Sequence, residues 1–439
     1  MMGRNVAGRL SGVTLIELMI ALVLGLLVAG GIVTLFIATS ASHRAQDQLA
    51  QVQENGRYAV RRITDDLRMA NGQYCSSTGG VASSTGSGLL LDGLRAPTVY
   101  ARDVMTALGT QDLTTRWGQT SGSNTYPATP TAPYSLPSFL SMRGYDCDDK
   151  TCKPINPPTS VVPAMGKASG SRVPGTGIVT LRYVDSSRGW ALGGNSWIES
   201  NLADGSIAAV HVVPGAGEPL LTEFKPGDLA MLADCSSAQI FAVSGAPDFV
   251  PVASLNFAAP AAQSTPSAPR LFDFNTDYVT VTYYVKAVAN DDGTLTGALV
   301  RKQGGTSEEV VRGVERLDFL YGIEDANGNT RYLTADEIDS NASGSIACPP
   351  SVPLPLGSDP GCLWRAVKSI EVRLLVAGER PLFTLTENEQ MYAYAIDGMS
   401  TPAAPGATGR KITPVAQGFV NPKIRREFTA LVSVRNYNP

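Results

Sequence analysis

Hydrophobic and polar positions divide the chain into three regimes. From Leu18 to Ala38, LMIALVLGLLVAGGIVTLFIA, there are 21 residues with no charge and a single hydroxyl, Thr34. As a helix this run spans about 31 Å, the thickness of a bilayer's hydrocarbon core. Beyond it, Leu49, Val52, Gly56, Val60, Ile63, Leu67 and Ala70 recur at steps of three and four with charged residues between them. That is the stripe of an amphipathic helix. No proline interrupts positions 1–96, so one helix from Val13 to about Asn71 is expected, its first half in lipid and its second half laid on a globular head. Gly56 costs such a helix about 1 kcal/mol against alanine, which points to close packing or a kink there. From about Gly177 the period becomes two: IVTLRYV, YVTVTYYVKA, RLDFLYGI, IEVRLLVAG and FTALVSVR read as strands rich in branched and aromatic residues. In YVTVTYYVK, Val279, Val281, Tyr283 and Val285 share one face, with Thr280, Thr282 and Tyr284 opposite. The expected fold is α+β: a long N-terminal transmembrane and amphipathic helix packed on a head rich in antiparallel sheet.

The flanks of the apolar run set its orientation. Arg4 and Arg9 precede it, which keeps the N-terminus cytoplasmic and puts the rest of the chain outside. The run is too long for the core of an ordinary cleaved secretory signal. Glu17 stands at its edge, and a carboxylate near the membrane costs about 2 to 3 kcal/mol unless it has a partner or a role. Cleavage after Gly12 would supply one: Val13 would carry a free ammonium that the Glu17 of a neighbouring subunit neutralises.

The residues Gly12-Val13-Thr14-Leu15-Ile16-Glu17, followed by the apolar run, resemble the type III signal of type IV pilins and type II secretion pseudopilins. Gln53-Glu54-Asn55-Gly56-Arg57-Tyr58-Ala59, Asp66-Leu67-Arg68-Met69-Ala70, Asp234-Cys235-Ser236-Ser237-Ala238, Val314 to Ile323 and Arg425 to Val432 resemble the PilW-type minor pilins. The resemblance implies a type IV pilin-like fold. It further implies a leader at 1–12 cut by prepilin peptidase between Gly12 and Val13, N-methylation of Val13, and subunit assembly through Glu17. Residues 13–40 then form the polymerising half of the helix, 41–75 its amphipathic half, 76–175 a loop-rich variable region and 176–439 the periplasmic head. The implied role is priming of the fibre, with a place near its tip. The implied partners are other minor pilins, the major pilin, a tip adhesin, the inner-membrane assembly platform and the inner membrane itself. Two other readings share the anchor: a J-type pseudopilin of type II secretion, whose head is much smaller, and a membrane-anchored periplasmic enzyme or binding protein. Val13 departs from the phenylalanine usual at that position, and Thr34 stands where major pilins carry proline.

Composition narrows the chemistry. The 439-residue chain has 35 basic and 39 acidic side chains, net −4, becoming −6 once a leader takes Arg4 and Arg9 away. That lacks the basic excess of a nucleic-acid binder, and direct binding of nucleic acid is not expected. The basic trio Lys423, Arg425 and Arg426 reads as a solvated strand edge. No P-loop, dinucleotide fingerprint, nucleophile elbow or zincin motif occurs, and with only His43 and His211 neither a histidine-rich metal site nor an enzymatic role is expected. The six cysteines are an even set for an oxidising compartment. Fifteen connectivities are formally open; local pairing of Cys147–Cys152 and Cys348–Cys362 leaves Cys75–Cys235. No metal or cofactor is expected. Asp325, Asn327 and Asn329 are a weak calcium candidate, since their spacing departs from a calcium loop and Asn-Gly is a hairpin signal.

Overall fold

The computed structural model describes residues 13–72, 74, 82–85, 88–91, 96–108, 115–121, 124–234, 237–263, 268–325, 327–341, 346, 348, 360–419 and 422–434. One helix runs unbroken from Leu15 to Leu67. It starts at a capping box: the Glu17 amide donates to Thr14 Oγ1, while the Thr14 amide and hydroxyl donate to Glu17 Oε2 at 3.0 and 2.9 Å. The box satisfies the first orphan donors of the helix. The helix passes Gly25, Gly30 and Gly31 without interruption, and the Thr34 hydroxyl is absorbed by the Gly30 and Gly31 carbonyls.

The helix divides sharply by environment. Every residue from Val13 to Thr39 is exposed, whereas Val52, Gly56, Ala59, Ile63, Asp66 and Leu67 are buried. They are buried against two antiparallel sheets. The first has four strands in the order Thr330–Leu333, Val314–Glu324, Ser369–Ala377 and Arg425–Ser433. The second has six, in the order Thr306–Arg312, Leu295–Gln303, Tyr278–Ala289, Ile178–Val184, Arg143–Cys147 and Cys152–Lys153. Val281, Tyr283, Leu317, Phe319, Ile370, Val372, Leu374 and Val432 meet the helix stripe in one continuous core. Gly56 is there for contact: a Cβ on it would lie 2.3 Å from the Phe428 ring.

A second body grows out of the six-stranded sheet. The chain leaves that sheet at Val184 and re-enters it at Tyr278, and these two residues are register partners. Between them lie most of another six-stranded sheet, ordered Trp190–Ala191, Arg270–Asp273, Leu229–Ala233, Ala238–Ala242, Thr98–Val99 and Tyr134–Ser135, and a three-stranded sheet of Trp197–Ser200, Ile207–His211 and Asp248–Phe249. Its only parallel pairing, among the described residues, joins Ala238–Ala242 to Thr98–Val99. Alternate residues of this outer sheet feed separate cores, Met231 and Ile240 one, Leu232 and Phe241 the other. The head is thus an inner core under the helix plus an inserted outer lobe. The stretch read as loop-rich also supplies strands, at 98–99, 134–135 and 143–147.

The second face of the strand from Tyr278 is buried too, and the reading of the basic trio as a solvated edge is corrected. Thr280, Thr282 and Tyr284 do not face solvent: they are at most 3% exposed, and Thr180 and Thr282 hydroxyls bond at 2.9 Å. The strand from Tyr278 is covered on both faces because the inserted lobe and the 143–162 segment close over its second side. Lys423 and Arg425 are fully buried as well. Arg425 grips the Glu315 carboxylate through Nε and Nη2 at 2.6 and 3.2 Å, and only Arg426 of the basic trio is exposed.

Candidate assembly site: the exposed helix and its seat

Two features make the site: an apolar helix face left exposed among the described residues, and the seat that holds the rest of the helix on the head. The first is built by Leu15 to Ala38, whose large side chains are mostly more than half exposed. It is the one helix, among the described residues, long and apolar enough to cross a membrane. Val13 and Glu17 lie at its start, with Glu17 engaged in the capping box described above. Gly12 lies outside the described residues.

The attachment centres on Asp66, which the sequence stripe passes over. Its carboxylate accepts Arg301 Nε at 2.6 Å and Nη2 at 3.2 Å, and the Tyr283 hydroxyl at 2.6 Å. The Asp66 and Arg301 side chains are 7% and 9% exposed, so the pair is desolvated and bidentate. Burial pushes the Tyr283 phenol well up, with Asp66 adding to the shift, and holds Tyr183 at about 12. Burial opposes the charge of Arg301, but Asp66 and the two phenols outweigh it and keep the guanidinium above its ordinary value. Hence the acid and the phenols divide the labour cleanly: the carboxylate accepts, the phenol donates. Around this pair, Asn55 Nδ2 donates to the Arg312 carbonyl at 3.2 Å, and Gln48 meets the Arg380 amide. The signal that could have singled out Asp66 is a lone acid on a stripe otherwise apolar from Ile63 to Ala70.

The remaining candidates are placed as follows. Cys147 and Cys152 are bonded across a tight hairpin, and Cys348 is bonded to Cys362. Cys75 and Cys235 lie outside the described residues. The Asp325 carboxylate accepts the amides of Asn327 and Asn329 at 2.9 and 3.0 Å, closing the turn between the strands 314–324 and 330–333. Among the described residues no cluster of three or more His, Cys, Asp or Glu side chains has the geometry of a metal site. His211 bridges Asp248 and Glu199 at 2.6 and 3.0 Å and stacks on Trp197, without a nucleophile in the set.

These features define an α+β protein with one membrane-length helix seated on an antiparallel, sheet-rich head. Residues 282–436, 155 of the 439, match the family model PilW, described as type IV pilus-assembly protein W. The match supports assigning the chain to the PilW family, and with it involvement in type IV pilus assembly. No curated protein and no solved structure matches the chain.

Proposed function

We propose that the protein is a minor pilin that waits in the inner membrane with its head in the periplasm, primes the fibre and stays near its tip. The observation that carries this reading is the helix from Leu15 to Ala38, whose side chains all stay exposed while its continuation is buried in the head. Such a face is stable only in lipid or against other apolar helices, and a subunit that exchanges one for the other can enter a fibre. Prepilin peptidase removes residues 1–12, Val13 becomes the methylated N-terminus, and Glu17 then exchanges its capping role for a neighbour's ammonium. Other minor pilins, the major pilin, a tip adhesin and the inner-membrane assembly platform are the partners of this reading. Pilus functions such as twitching motility, adhesion or DNA uptake would follow through the fibre rather than through nucleic acid bound by this head.

Intact-mass analysis of protein from pilus-competent cells tests the first step. A chain beginning at Val13 and carrying one added methyl group is expected. Retention of Arg4 and Arg9 in the mature chain would sink the minor-pilin reading and leave a membrane-anchored periplasmic protein. Glu17→Ala is expected to be cleaved normally but to enter fibres poorly; unchanged piliation would remove the assembly role given to Glu17.

A further inference from the structure

The head does not end where the membrane helix begins. A cavity of about 320 Å³ lies between them, lined on one side by Phe36, Ile37 and Arg44 and on the other by Leu382 and Phe383. Phe36 and Ile37 belong to the uncharged run itself. With Glu17 at the inner boundary, about 20 helical residues fill a 30 Å hydrocarbon core, which puts Ile37 at the outer boundary. A head loop that faces Phe36 and Ile37 must therefore lie at the level of the acyl chains and headgroups.

The loop is built to hold that position. The Leu382 amide donates to the Pro422 carbonyl at 2.9 Å, and the Leu385 amide to the Leu382 carbonyl at 3.1 Å. Its base lies against the helix, where the Arg380 amide donates to Gln48 Oε1 at 3.4 Å and Gly378 approaches the same side chain closely. Leu382 is buried, yet the next residue, Phe383, is 80% exposed, so the loop presents an aromatic ring largely uncovered among the described residues. We propose that the Arg380–Thr384 loop is a second membrane contact, with Phe383 inserted at the headgroup and acyl boundary of the outer leaflet of the same bilayer. The exposed Arg44 guanidinium, lining the same cavity, is at the height of lipid phosphate. Glu387 and Glu389 follow closely in the chain, so the contact rests on the apolar ring rather than on net charge. It would fix how far the helix protrudes and how the head tilts before extraction into a fibre.

This inference rests on the membrane-spanning reading of the apolar run, and three single-tryptophan additions separate the two. Full-length protein carrying Leu26→Trp, Phe383→Trp or Leu202→Trp is reconstituted in nanodiscs of phosphatidylethanolamine and phosphatidylglycerol at one copy per disc. Emission is compared with the unsubstituted protein, with and without lipids brominated along the acyl chains. Leu26→Trp reports the anchor, and Leu202→Trp, fully exposed on the outer lobe, reports water. Added emission at position 383 that is blue-shifted and quenched by lipids brominated near the headgroup is expected. Position 383 behaving like position 202 while position 26 is quenched overturns the loop contact alone. Loss of quenching at 26 overturns the anchor and the contact together. A blue shift at 383 that appears only with several copies per disc assigns the ring to a second subunit and also overturns the proposal.

Discussion

The inner core and the inserted lobe of the head differ in how their charges are held. Under the helix, one continuous apolar core encloses ion pairs withdrawn from water, Asp66 with Arg301 and Glu315 with Arg425. In the lobe, small cores line the two faces of the outer sheet, the His211 bridge lies at the surface, and Trp197, Leu202, Val213 and Leu220 are substantially exposed. The family match follows the same division: residues 282–436 begin inside the strand that re-enters the six-stranded sheet and include none of the insertion at 185–277. The matched segment thus includes much of the sheet framework on which the helix is seated.

The sharpest way to break this contrast is to attack the helix seat. Asp66→Ala leaves Arg301 buried without its acid, and a broken buried pair costs about 3 to 5 kcal/mol. Denaturant unfolding of the full chain in detergent should show that loss. The double variant Asp66→Leu with Arg301→Met should recover much of it, because an apolar pair of similar volume avoids the desolvation cost. If Asp66→Ala unfolds like the parent chain, the seat is not what holds the helix.

Gly56→Ala sharpens the same point with a smaller effect. The added methyl meets the Phe428 ring, and overpacking of this kind costs about 1 to 3 kcal/mol, offset by about 1 kcal/mol of helix propensity. A net destabilisation of about 1 to 2 kcal/mol is expected, relieved by Phe428→Leu. Alanine at position 56 that stabilises the protein would mean that the ring moves away freely and that the contact is loose.

How much of this was legible depended on whether a residue's partner is near in sequence. The long apolar helix was legible because an uninterrupted apolar run without proline needs no tertiary context to be helical. Cys147 and Cys152 were legible for the same local reason, standing across one turn. The insertion was not, since its strands have the same period as those of the inner sheets and nothing local says that Val184 pairs with Tyr278. Burial of Lys423 and Arg425 was hidden likewise: Glu315, which neutralises Arg425, lies 110 positions away. The Val/Thr alternation after Tyr278 separates two faces without saying that both are covered, because threonine is indifferent to burial once its hydroxyl is bonded, as Thr282 is to Thr180.

The lobe offers the mildest test, and it is one of pH. Protonated His211 joins its neighbouring strands by donating from Nε2 to Glu199 and from Nδ1 to Asp248, and these hydrogen bonds, Glu199's first, raise its pKa above the ordinary value. A raised histidine pKa means that the bridge contributes fully below the unfolded value, about 6.5, and is lost as pH climbs through the folded one. Amides of Trp197–Ser200, Ile207–His211 and Asp248–Phe249 should therefore lose protection as pH rises through that window, after correction for intrinsic exchange. Strands of the inner sheet such as Ser369–Ala377, which contains no histidine, should not. Salt should weaken the effect, because Glu199 and Asp248 are exposed. His211→Gln should flatten the dependence in the lobe and leave the helix seat unchanged. Equal loosening of both regions in the variant would mean that the lobe and the inner core unfold as one unit, and the contrast between them would lose its energetic meaning.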